Sequence, residues 1–258
     1  MSDDQFSNST DPGAGAPAHD AEATSAAGGE AAAAAPGDAE GAGASADDAG
    51  GPLKWRTVAP EPPASFAELR VSEEIARALA DMGFTRPTPV QAAVYQPILD
   101  GYDIMVQSHT GSGKTVAFGM PLAELLNPDA EAVQALVLCP TRELALQVKD
   151  ELGRLYAHKR LRATAIYGGA AMGPQLDDLE KGVQIVVGTP GRVLDHIRRG
   201  TLDLSSLRVL VFDEADEMMS MGFAKEVDAI VEACPKQRQG MLFSATIPDE
   251  IRDLGRRT

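Results

Sequence analysis

Six short apolar runs constrain this chain more than any other feature: Asp103–Gln107 (DIMVQ), Ala135–Cys139 (ALVLC), Thr164–Tyr167 (TAIY), Gln184–Val187 (QIVV), Arg208–Phe212 (RVLVF) and Gly240–Phe243 (GMLF). None alternates polar with apolar residues. Strands buried on both faces read this way, as in a parallel sheet covered by helices. Segments of helical pattern and length lie between them, at Lys114–Leu126, Arg142–Tyr156, Met172–Lys181, Gly191–Arg198 and Ala224–Ala233. Strands alternating with helices predict an α/β, doubly wound domain: a mostly parallel sheet with helices on both faces. There is no internal repeat.

Composition sets where this domain begins. Residues 1–52 contain no Leu, Ile, Val, Lys or Arg, yet hold ten of the chain's 38 acidic residues. Two thirds of the net charge of −15 therefore sits in about a fifth of the chain. Such a segment cannot bury enough apolar surface to offset its chain entropy, so it reads as a disordered Ala/Gly/acidic tail. A linker over 53–63 then leads to one domain over 64–258. The tail lacks the Arg-rich pattern of a transit peptide and the basic start and apolar stretch of a secretory signal. No apolar run approaches the ~18–20 residues of a membrane span. Cys139 and Cys234 lie far apart with no metal-ligand spacing, which fits buried thiols in a reducing cytoplasm. The acidic balance argues against general, charge-driven nucleic-acid binding but leaves room for a local basic site.

Each apolar run is followed at once by an unusual polar or glycine-bearing segment. In order these are SHTGSGKT (Ser108–Thr115), PTREL (Pro140–Leu144), Gly168–Gly169, TPGR (Thr189–Arg192), DEAD (Asp213–Asp216) and SAT (Ser244–Thr246). Ligands of open parallel sheets bind at the carboxyl ends of the strands, so six such segments predict one composite site along one edge. Ordinary Gly- and Pro-rich connections would account for one or two of them.

SHTGSGKT has the makings of a phosphate-binding loop. Gly111 and Gly113 let the backbone turn, so that the N–H groups of Thr110–Gly113 approach phosphate oxygens ahead of a helix N-terminus. Lys114 would reach the β- and γ-phosphates, and Thr115 would offer a hydroxyl to Mg²⁺. The strict pattern has Gly where Ser108 stands. The alternative is a Gly-rich turn with a chance Lys. A loop of this kind needs an acidic partner for its metal, and LVFDEADEM (Leu210–Met218) supplies one. Asp213, at the strand end, is placed to coordinate the metal. Glu214 is placed to orient and deprotonate a water. Read alone, the acidic tetrad is a solvated loop feeding a helix over Glu217–Met221. Met218, Met219 and Met221 read as core packing.

With these motifs in this order, residues 64–258 resemble the first RecA-like domain of the DEAD-box RNA helicases. GFTRPTPVQ (Gly83–Gln91) is similar to that family's adenine-recognising Q motif, with Phe66 seventeen residues upstream of Gly83. SHTGSGKT is similar to motif I, although the family usually has Ala at Ser108 and Gln or Lys at His109. The resemblance implies an ATP- and Mg²⁺-dependent RNA helicase. Phe66, Arg86 and Gln91 would surround the base, and Thr110, Gly111, Ser112, Gly113, Lys114 and Thr115 the phosphates. Thr115 and Asp213 would hold the metal, with Lys114, Asp213 and Glu214 catalytic. It assigns the RNA backbone to Thr141, Arg142, Gly168, Gly169, Thr189, Gly191 and Arg192. Asp216, Ser244 and Thr246 would link nucleotide state to strand separation. The amide of Gln91 suits the N6/N7 edge of adenine. Thr88–Gln91 is equally a capping box with Pro89 at N1, and both roles are compatible.

Phosphate and sugar contacts carry no base identity, so sequence-independent binding of RNA is expected. Lys159–Arg162, Arg198–Arg199 and Arg256–Arg257 read as solvated charge. The family's second RecA-like domain should follow Thr246, and only twelve residues do. The expectation is a fragment of a longer helicase that is poorly active alone. Two other classes remain: a P-loop ATPase acting on something other than RNA, and a non-catalytic RNA-binding module on the same fold.

Overall fold

A computed structural model describes residues 62–258. The acidic tail and nearly all of the linker expected from the sequence lie outside the described residues. After a short 3-10 turn at Phe66–Leu69 come α1 (Glu73–Asp81), α2 (Pro89–Leu99), β1 (Ile104–Gln107), α3 (Lys114–Leu125), β2 (Ala135–Leu138) and α4 (Arg142–Leu155). Then follow β3 (Ala163–Ile166), α5 (Met172–Glu180), β4 (Ile185–Gly188), α6 (Pro190–Arg198) and β5 (Val209–Asp213). The described chain closes with α7 (Ala215–Ser220), α8 (Ala224–Ala233), β6 (Gln239–Ser244) and α9 (Asp249–Arg257). All six apolar runs form strands, paired in the order β1-β6-β5-β2-β4-β3, and every pair is parallel.

Side chains of a strand point alternately to opposite faces, and each face here has its own core. Val209 and Val211 of β5 join the core that contains Val116, Phe118, Val148 and Leu152 from α3 and α4. Leu210 and Phe212 join the other core, with Val193, Met218, Val227, Ile230 and Ile251 from α6–α9. In β2, β4 and β5 the apolar runs are unbroken because neither face meets water. α3 is the most enclosed helix, with residues Lys114 to Ala123 all buried. At Gly119 it meets α4 closely: a Cβ there would stand 2.8 Å from Leu152 Cδ2 and from Leu155 Cδ2. Tyr156 adds a buried hydrogen bond, its hydroxyl donating to Gly119 O at 2.9 Å.

Two expectations need correction. Lys159 is not solvated charge: its Nζ donates to Ala123 O (2.8 Å) in the last turn of α3 and lies 3.2 Å from Glu124 Oε2. A cation there satisfies a terminal carbonyl and complements the helix dipole. Met221 is not core: α7 ends before it and leaves it 49% exposed, whereas Met218 is fully buried. Both cysteines are free and buried. Among the described residues no helix is long and apolar enough to cross a membrane.

The carboxyl end of β4 is the tightest point beside the site. A Cβ on Gly188 would lie 2.7 Å from the backbone oxygen of Ile166 and 2.6 Å from Val193 Cγ2. The backbone contact cannot yield by a rotamer change. Gly188→Ala is therefore expected to destabilise the domain by about 1–3 kcal/mol. The readout is a lower urea midpoint with an unchanged slope; an unshifted midpoint would contradict the packing described.

Candidate active site at the carboxyl edge of the sheet

The strand order divides the six polar segments into two neighbouring groups. The ends of β1, β6 and β5 carry SHTGSGKT, SAT and DEAD, whereas those of β2, β4 and β3 carry PTREL, TPGR and Gly168–Gly169. One half of the edge thus gathers the phosphate-loop and carboxylate chemistry. The other half gathers the arginines.

In the first half, the loop between β1 and α3 turns through Gly111 (φ +83°) and Gly113 (φ +89°). Gly113 must be glycine on two counts, because its conformation is left-handed and a Cβ would lie 2.6 Å from Gln91 Nε2. The loop is tied on every side. Ser108 N–H donates to Ser244 O (2.8 Å), and the Ser108 and Ser112 hydroxyls stand 2.6 Å apart. Lys114, 6% exposed, donates to Ser108 O at 3.4 Å. Thr110 Oγ1 donates to Glu214 Oε1 at 2.9 Å, and that oxygen is 3.9 Å from Lys114 Nζ. The hydroxyl at Ser108, where Ala is usual, thus braces the loop from within.

Asp213 closes β5 and is 2% exposed. Burial pushes its carboxyl from the usual 3.8 up to about 6, and the attraction of Lys114 limits the rise. Its Oδ1 is buried and has no hydrogen-bond partner. An orphaned, hard carboxylate oxygen opposite a phosphate loop fits a hard divalent cation, and the buried Thr115 hydroxyl is of the same donor class. No group of three or more His, Cys, Asp or Glu side chains forms a metal cage among the described residues. Next to Asp213, Glu214 adopts a left-handed backbone (φ 56°, ψ 54°). A non-glycine residue there costs roughly 1–2 kcal/mol. Cys139, at the end of neighbouring β2, has its thiol pushed well up by burial and by the Asp213 and Glu214 carboxylates.

Asp216 forms the contact with SAT expected of it. Its Oδ2 accepts from Thr246 N (2.9 Å) and Thr246 Oγ1 (2.8 Å), and its own N–H donates to Ser244 Oγ (3.1 Å). These bonds hold its carboxyl below the usual range against partial burial. Glu217 is plain surface.

Of the two roles open to Gln91, the capping one is directly visible. Gln91 is fully buried, its Oε1 accepting from Thr88 N (2.9 Å) and its Nε2 donating to Gly113 O (3.2 Å). The amide is a strut between the start of α2 and the phosphate loop, and each of its polar atoms keeps one further hydrogen or lone pair. The capping geometry and the close approach of Gly113 enforce the strut. Phe66 is 6% exposed and anchors in the core. Arg86 is exposed.

In the second half, Thr141 caps α4, its hydroxyl accepting from Leu144 N at 3.2 Å. Arg142 in the first turn is exposed and stands 4.7 Å over the Tyr167 ring. Thr189 precedes α6, with Pro190 at N1 and Gly191 exposed beside it. Arg192 Nη2 donates to Ala170 O at 3.1 Å, next to the exposed Gly168 and Gly169, while its Nη1 is buried without a partner. Sequence reasoning missed Tyr167 and Gln175, which hold this loop. Nothing in their spacing marks them.

Fold and edge together define a P-loop nucleotide-binding domain with a strip of arginine and backbone N–H groups beside it. A family model described as DEAD/DEAH box helicase matches residues 88–254, and the chain belongs to that family. It is 50% identical over 191 residues to the ATP-dependent RNA helicase DbpA of Bacillus subtilis, covering 74% of this chain and 40% of that protein. It is 48% identical over 193 residues to the DEAD-box ATP-dependent RNA helicase CshA of Geobacillus kaustophilus, covering 75% and 41%. The crystal structure of a DEAD box protein from the hyperthermophile Methanococcus jannaschii matches with TM-score 0.71 and 49% identity, over 74% of this chain and 52% of that one. The chain thus spans about two fifths of the length of these two curated relatives.

The raised carboxyl of Asp213 makes a pH prediction. Between about pH 4 and pH 6 the folded protein binds its proton more tightly than the unfolded chain, so stability falls as pH rises through that window. Asp213→Asn, which mimics the protonated form, should match the parent below about pH 4. Above about pH 6 it should be more stable by on the order of 2–3 kcal/mol. Denaturation without divalent cations checks this; a gap independent of pH would contradict the buried, destabilised carboxylate.

Proposed function

We propose that this chain is the ATP-binding half of an ATP-dependent RNA helicase, which couples nucleotide turnover to clamping RNA and parting short duplexes. The observation that carries the proposal is the partition of the edge. A buried carboxylate with an orphaned oxygen faces a phosphate loop on three adjacent strand ends, and two arginines with exposed glycines occupy the next three. Lys114 and the N–H groups of Thr110–Gly113 hold the phosphates. Thr115 and Asp213 hold Mg²⁺, which when bound neutralises charge on the phosphates. Glu214 directs and deprotonates the attacking water, and Gln91 keeps the loop in register from behind. Asp216, Ser244 and Thr246 pass loop and carboxylate movements to one another.

Thr141, Arg142, Gly168, Gly169, Thr189, Gly191 and Arg192 take the RNA backbone, without base identity. The relatives are longer than this chain, and a second RecA-like domain in that further length would supply a charge-stabilising arginine. Such a finger is worth roughly 10³–10⁵ in rate, so the chain alone turns over slowly. A cytoplasmic setting is part of this reading, and the two free, buried thiols agree with it.

The test is a titration with a fluorescent ADP analogue and Mg²⁺. Lys114→Ala should abolish binding, and unchanged affinity would overturn the phosphate-loop assignment. In a protein containing both domains, Glu214→Gln should bind ATP normally and lose hydrolysis. Full RNA-stimulated turnover by residues 1–258 alone would show that no second domain is needed.

A further inference from the structure

The loop after β3 is held from three sides by residues that the nucleotide chemistry does not use. Gln175, in α5, is 6% exposed. Its Oε1 accepts from Tyr167 N, and its Nε2 donates to Tyr167 O and to Ala171 O, each at 3.2 Å. An amide that grips both polar groups of one backbone residue fixes that residue's orientation as well as its position. From the opposite side Arg192 Nη2 holds Ala170 O at 3.1 Å. From the third, the Arg142 guanidinium lies 4.7 Å over the Tyr167 ring, within cation–π range.

Between these anchors sit Gly168 and Gly169, both exposed, the second at φ +73°. Neither N–H donates to an acceptor among the described residues. Arg192 Nη1 has no partner either. Free backbone donors in a tight turn beside guanidinium groups make an anion-accepting concavity. The turn keeps that form only while Tyr167 and Ala171 stay pinned.

We infer that Gln175 and Tyr167 are positioning residues of the RNA grip, an inference that rests on the function proposed above. Gln175 shapes the Gly168–Gly169 turn so that its N–H groups and Arg192 face one phosphodiester. Tyr167 holds the Arg142 guanidinium by its face, which leaves its N–H groups for the neighbouring phosphate.

The experiment is anisotropy of a labelled oligouridylate with the 258-residue chain across a salt series, alongside the nucleotide titration. Gln175→Leu should weaken RNA binding about tenfold and lower the salt slope by about one phosphate. Its nucleotide affinity should hold. Tyr167→Leu should weaken RNA binding as Arg142→Ala does, and Tyr167→Phe, which keeps the ring, should restore it.

Parent-level RNA affinity and slope in both Gln175→Leu and Tyr167→Leu, with binding lost in Arg142→Ala and Arg192→Ala, overturns the inference alone. Parent-level binding in the arginine variants as well overturns the functional reading. If Gln175→Leu loses RNA and nucleotide together, or does not fold, Gln175 is merely structural and that half of the inference falls. The Tyr167 variants then decide the other half.

Discussion

A sheet covered on both faces has nowhere to put polar chemistry except its ends. β2, β4 and β5 are buried along their whole length, so an ionised group within them would cost several kcal/mol. The first point at which the chain can carry charge is where each strand stops. Six parallel strands stop on one side, and their order decides which segments meet. Because β6 and β5 insert between β1 and β2, SHTGSGKT, SAT and DEAD become neighbours although the first lies far from the other two in sequence. The remaining three ends fall together by the same pairing. Hydrophobic burial thus builds the frame, and hydrogen-bond register distributes the chemistry along it.

The frame is stable enough to hold a site that is not. Asp213 sits with one oxygen unpartnered, and Glu214 occupies a backbone region that disfavours side chains. Lys114 is nearly as buried as Asp213 and offsets part of its desolvation. These departures from local preference lie in two adjacent residues, which is where function and folding are expected to conflict. The bonds around the loop restrain it in return: Gln91 to Gly113, Ser108 to Ser112 and Thr110 to Glu214.

The sequence made legible whatever depends on burial or on a complete motif. Every strand falls within two residues of its apolar run, and the central ones, closed to water on both sides, have no room for a polar residue before their ends. The helices opening at Lys114, Arg142 and Met172 start where the pattern predicts, and the helix predicted from Gly191 starts one residue earlier. Strand order was not legible, since non-sequential pairing is settled by tertiary packing. α1 and α9 went unread, although each buries an apolar pair, Ile75 with Leu79 and Ile251 with Leu254. Gln91 shows a different limit. Its capping role was legible, but its bond to Gly113 O, 22 residues away, was not. Gln175 was invisible because its meaning lies in two backbone groups of Tyr167, and backbone groups carry no sequence signature.

The hydrogen bonds also show how far a signal travels inside this domain. From Ser108 a continuous path runs through Ser244 to Asp216 and on to Thr246, and Gln107 Nε2 adds a bond to Ala245 O. A change at the phosphate loop therefore reaches the segment after β6 directly. Toward the arginines the link is the β5–β2 ladder, with Cys139 packed close to Asp213. A buried ladder is a rigid element with one arrangement, whereas coupling requires an element with two. The arginine half is thus joined to the phosphate loop through backbone pairing, with no second arrangement of that ladder among the described residues. Nucleotide-dependent gripping of RNA then needs a body that touches both halves from outside, as the second domain of the proposed helicase would do.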